Sequence, residues 1–135
     1  MAFEWFNTVK HKRWDDIEYE QLSAGIGRRV LHGDGLSVAR IYLKKGAIVP
    51  LHQHVNEQLS YVLEGCLRFD FGDRQQVVAG GEMMQISANE PHEVEALEDS
   101  VALDVFQPVR EDWLRGDDSY LRNPLPRASR NKIGN

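Results

Sequence analysis

His52 and His54 stand one residue apart, Gln58 follows four residues after His54, and His92 comes thirty-eight residues later behind Pro91. A His-x-His pair with a distant third imidazole is the spacing of a metal site built on strands, because strand side chains two residues apart share a face. A helix brings two imidazoles together at i and i+4, which this spacing does not offer. If the segment is extended, His52, His54 and Gln58 share parity and face one interior, while Glu57 faces away. Three neutral imidazoles and a neutral amide place no negative charge on a divalent ion, which then keeps its full strength as a Lewis acid toward an oxygen ligand. The competing interpretation is a set of hydrogen-bonded core histidines, with Gln58 on an exposed strand face.

The elements that must position these residues read as short strands. Residues 36–43 alternate, with Ala39, Ile41 and Leu43 on one face and Arg40 and Tyr42 on the other. Residues 58–64, 66–71, 75–78, 82–86, 92–97 and 101–106 follow, separated by turns at Gly65, Gly72-Asp73-Arg74, Gly80-Gly81 and Ala88-Asn89-Glu90-Pro91. The glycine-rich stretch 25–35 carries a short strand around Arg28-Arg29-Val30-Leu31. Many short strands with turns between them mean a barrel or a sandwich, here of six to eight strands. Only 109–121 reads as helical, with Trp113-Leu114 as its apolar side, and 123–135 reads as a loose polar tail after a domain spanning 1–122. The arm carrying Phe3, Trp5, Phe6 and Trp14 is too apolar to stay bare, and it points to pairing with a second copy in a homodimer.

Composition narrows the function classes. At 135 residues the chain is one domain. Its net charge of −5 argues against a nucleic-acid partner, since phosphate neutralisation needs a basic surface. The pairs Arg28-Arg29 and Lys44-Lys45 read as solvated faces. One cysteine, Cys66, excludes an internal disulfide and reads as a buried inert thiol. No run approaches the ~20 apolar residues of a membrane span, and the start has no basic n-region followed by an apolar stretch. The expectation is a cytoplasmic protein.

The spacings resemble the two motifs of the cupins. The first motif is met by Gly46, five residues, His52-Gln53-His54, three residues, Gln58, six residues and Gly65, with Gln in place of the usual Glu. The second is met at Gly81 and His92, but Ser87, Asn89 and Ala96 replace its Pro, inner Gly and Asn. This resemblance implies an all-β fold, a single-domain cupin jelly-roll β-barrel with a short C-terminal helical segment. It also implies one divalent transition metal ion on His52, His54, Gln58 and His92. Nickel, manganese, iron and zinc all suit such donors, and the sequence does not choose among them.

A narrower resemblance lies in 103–114, which is similar to the end of the barrel in KdgF-like proteins of uronate breakdown. These convert 4,5-unsaturated uronates to linear keto-uronates and also use Gln at the fourth ligand position. The resemblance implies that Asp104, Phe106 and Arg110 line the active site, and that the partner is a small sugar acid. Asp104 would then be the acid/base group, Arg110 a carboxylate clamp and Phe106 an apolar wall. The plainer alternatives are a structural Asp104–Arg110 ion pair, a solvated Arg110 pairing with Glu111 or Asp112, and a core phenylalanine. Trp113 and Tyr61 read as ordinary packing residues, and His11 and His32 as surface residues. Two other functions fit the same residues: a metal dioxygenase of the quercetinase type, and a non-catalytic ligand-binding cupin.

Overall fold

The computed structural model describes residues 8–122; the apolar arm residues Phe3, Trp5 and Phe6 and the tail 123–135 lie outside them. Ten strands occur among the described residues: β1 (Glu20–Ser23), β2 (Ile26–His32), β3 (Ser37–Leu43), β4 (Ile48–His52), β5 (Glu57–Glu64), β6 (Cys66–Asp70), β7 (Gln75–Ala79), β8 (Met83–Ile86), β9 (His92–Ala96) and β10 (Ser100–Gln107). The expected six to eight therefore become ten, because β1 and β4 form strands as well.

The strands make two antiparallel sheets, one in the order β1-β2-β3-β10-β5-β8 and one in the order β4-β9-β6-β7. This is the all-β jelly roll. Alternation builds its interior: β3 turns Ser37, Ala39, Ile41 and Leu43 inward, and β5 turns Gln58, Ser60 and Val62 inward. Facing them from the smaller sheet are Val49, Leu67, Phe69, Val78 and Val94.

Two turns show why the motif positions matter. Gly65, between β5 and β6, sits at φ +90, and a Cβ there would run into the Asp99 carbonyl and the Ser100 side chain. Asn89 occupies the inner glycine position of the second motif and holds φ 64. Asparagine tolerates the left-handed region better than most residues, so this departure keeps the loop's shape. The Asn89 N–H donates to the His54 carbonyl at 2.7 Å, tying the two motif loops together.

The helical segment is two short helices, α1 (Glu111–Arg115) and α2 (Ser119–Arg122), broken at Gly116, which has φ 84. Trp113 is buried but Leu114 is exposed, so the expected two-residue apolar side is one residue wide. A second expectation fails at Arg28, which is buried and not on a solvated face. It bonds Glu20 through Nε at 3.0 Å and Asp118 through Nη2 at 3.0 Å, and it lies 4.5 Å from the Trp113 ring. Arg122 also bonds Asp118, so this ion cluster fastens α2 to β1 and β2. Cys66 is half-buried. No helix among the described residues is long and apolar enough to cross a membrane.

Candidate metal centre and its cavity

The four candidate ligands arrive from two sheets and the connection between them. His52 ends β4 and pairs directly with His92, the first residue of β9, in the four-stranded sheet. Gln58 lies on β5 in the six-stranded sheet, and His54 sits in the connection between them. The expected single extended segment is therefore a crossover, and equal parity is not what makes these residues converge. They meet because the chain bends across the barrel mouth at Val55-Asn56. The buried Asn56 holds that bend by donating to the Pro108 and Val109 carbonyls. Glu57 faces outward and bonds Gln85.

The ligand atoms of His52, His54 and His92 lie within 4.8 Å of one another. Each Nδ1 bonds a backbone carbonyl: Pro50 at 2.7 Å, Asn56 at 3.0 Å and Glu90 at 2.8 Å. A carbonyl only accepts, so each Nδ1 carries the proton and each Nε2 presents a lone pair. Burial, followed for His52 by the neighbouring His92, holds that imidazole well below its usual titration range. Burial and Arg110 push His54 down to about 4, and burial lowers His92 as well. The three rings are neutral at neutral pH, the state in which an imidazole can bind a metal.

Gln58 completes the set. Its Oε1 lies 3.0 Å from His54 Nε2, while its Nε2 donates to Ser60 Oγ at 2.9 Å. Two lone-pair atoms at that distance repel unless they share a cation. Two ligands bound at about 2.1 Å and at right angles would stand about 3.0 Å apart. The donor set thus fits a divalent ion held by three imidazoles and an amide oxygen.

A cavity of about 50 Å³ adjoins these residues, floored by apolar barrel side chains and roofed by Trp113, Tyr120 and Leu121. Asp104 and Phe106 point into it from β10, and Arg110 from the start of α1. Asp104 faces Ser60 across the β10–β5 pairing. Its Oδ1 is buried with no hydrogen-bond partner among the described residues. Burial raises this carboxyl to about 6, against the opposing pulls of the Ser60 hydroxyl and Arg110.

Of the plainer alternatives, the Asp104–Arg110 ion pair is not formed among the described residues and Arg110 is not solvated, although it does pair with Asp112. Arg110 is 1 % exposed and grips Asp112 with Nε at 2.9 Å and Nη2 at 2.8 Å. Its Nη2 also donates to the Tyr120 hydroxyl, and its guanidinium stacks on Phe106 and Trp113 at 4.6 and 4.1 Å. Only Nη1 is left without a hydrogen bond among the described residues. Phe106 meets the His54 ring edge-on at 5.7 Å.

Three participants were not singled out from the sequence. Tyr120 stacks on His52 at 4.6 Å, but it comes from a helix after the barrel and carries no local signal. Ser60 shares strand parity with Gln58, which was a usable signal. Trp113 was read as packing alone, yet it borders the cavity. His32 is half-buried and bonds Ser37 Oγ, whereas His11 is exposed as expected.

Comparison with known proteins gives consistent matches. Residues 39–106 match the cupin domain family. The chain is 32 % identical over 103 residues to the pectin degradation protein KdgF of Dickeya dadantii (strain 3937), covering 74 % of this chain and 94 % of that protein. Its fold is similar to an RmlC-like cupin from Shewanella frigidimarina, with TM-score 0.72 and 26 % identity over 78 % of this chain and 96 % of that one. It is also similar to KdgF from Halomonas sp., with TM-score 0.71 and 25 % identity over 77 % and 99 %.

Proposed function

The chain belongs to the cupin family, and from that premise we propose that it is a metal-dependent enzyme acting on a small carboxylated sugar. The reaction is ring opening of a 4,5-unsaturated uronate to a linear keto-uronate. Similarity to two proteins named KdgF, one of them described by its role in pectin degradation, supports the substrate class. The observation that carries the chemistry is the unpartnered Asp104 Oδ1, buried at a cavity that His52 and His92 of the three convergent imidazoles line together with Gln58.

His52, His54 and His92 through Nε2, and Gln58 through Oε1, would hold a divalent ion whose charge stabilises an anionic substrate oxygen. Asp104 takes the proton of the anomeric hydroxyl as the ring carbon–oxygen bond breaks. It returns that proton to carbon 4 as the resulting enolate becomes a ketone. One proton is moved and conserved, with no oxidant or reductant. A carboxyl titrating at about 6 can do both steps near neutral pH. Arg110 Nη1 receives the substrate carboxylate; its other donors are held by Asp112 and Tyr120, so this is a narrower contact than a full fork. Phe106 supplies the apolar wall.

The test is loss of the conjugated-alkene absorbance of 4,5-unsaturated galacturonate with metal-loaded protein, with and without oxygen. Anaerobic turnover that Asp104→Ala removes is the expected result. Undiminished turnover by that variant overturns the mechanism. Oxygen-dependent turnover favours the dioxygenase, and no turnover across a sugar-acid panel favours a binder.

A further inference from the structure

Ser60 is 1 % exposed and lies directly opposite Asp104. Its Oγ accepts a hydrogen bond from Gln58 Nε2 at 2.9 Å. A hydroxyl has one proton to give, and an amide nitrogen accepts none. Ser60 therefore meets Gln58 through its lone pair, which leaves its own proton available on the side of the strand pair that carries Asp104. The Gln58 nitrogen lies toward Ser60 and its oxygen toward His54 Nε2.

We propose that Ser60 is a positioning residue, which holds the Gln58 amide with its oxygen turned toward the imidazoles. The proposal rests on Gln58 being a metal ligand. Its logic comes from the Gln-for-Glu departure in the first motif. A carboxylate offers two equivalent oxygens, so a half-turn changes nothing. An amide turned by half presents N–H groups to a cation, which repel it. Glutamine at this position needs an orienting partner where glutamate does not. Groups hydrogen-bonded behind metal ligands typically tune affinity by about 10- to 100-fold.

The experiment is a calorimetric titration of Ni(II) into metal-free, full-length protein. Wild type, Ser60→Ala, Gln58→Glu and the double variant form a mutant cycle. Ser60→Ala should weaken nickel binding about 10-fold or more in the Gln58 background. It should weaken it by less than about threefold in the Gln58→Glu background. Ser60→Thr, which keeps a hydroxyl, should bind as wild type, and Ser60→Val, of the same shape without one, should not. That pair preserves the comparison if Ser60→Ala does not fold. Equal losses in both backgrounds would mean a merely structural role and overturn the proposal, as would no loss in either. Failure of wild type to bind nickel, or unchanged binding by His52→Ala, instead overturns the metal reading itself.

Discussion

Replacing Asp104 with asparagine tests whether the fold holds a carboxylate at a cost. The carboxyl titrates at about 6 in the folded chain against 3.8 for the ordinary group, chiefly through burial. A raised carboxyl contributes stability that is fully present below pH 3.8 and is lost as pH rises through 6. The gap, at about 1.4 kcal/mol for each tenfold change in proton affinity, amounts to ~3 kcal/mol at pH 8. This is an upper bound, because Asp104 as a whole residue is only half-buried. Asparagine is neutral at every pH and removes the cost. In chelator-treated protein, the melting temperature of Asp104→Asn relative to wild type should rise between pH 4 and pH 8, on the order of 10 °C for a domain of this size. Most of the rise should fall between pH 4 and 6. The histidines titrate in both proteins and largely cancel in the comparison. A difference that stays constant from pH 4 to 8 would show that Asp104 ionises without penalty, and the argument for it as a poised base would fail.

Removing the Arg28 side chain should destabilise by about 3–5 kcal/mol in urea unfolding, because Asp118 is left buried without that partner; Leu114→Ala, on the exposed side of α1, should change little. The depressed histidines bind protons more weakly folded than unfolded, so their contribution to the stability of the metal-free protein should be full above pH 6.5 and be lost as pH falls toward 4, which Asp104→Asn protein should show without the opposing Asp104 trend. The gain in melting temperature on adding nickel should vanish over the same range. The homodimer remains a proposal, and the outer face of the six-stranded sheet supports it: Leu59, Tyr61, Leu63 and Met83 stand exposed beside Leu103 and Val105. Light scattering should find a dimer that Tyr61→Glu with Leu59→Glu converts to monomer; an unchanged mass would place the contact elsewhere.

Much of the barrel was legible in local pattern. The alternation of 36–43 placed Ala39, Ile41 and Leu43 inside, because a pleated strand imposes a two-residue period on burial. The turns at Gly65 and Gly81 stood where positive φ is required. Arg28 shows the limit. A charged pair beside glycines looks solvated, and nothing nearby announces Asp118, ninety residues away. Arg110 shows the same limit at short range. Asp104, Glu111 and Asp112 were all plausible partners by spacing, and the turn into α1 gave it to Asp112.

Composition and spacing on their own determined the donor types, the neutrality of the set and the all-β class. These follow from side-chain chemistry and from periods of a few residues. Tertiary structure alone decided that the candidate ligands come from both sheets and the connection between them, that Ser60 faces Asp104, and that Tyr120 lies on His52. Each depends on sheet register and on how the barrel end is packed, and those are set by the whole chain together.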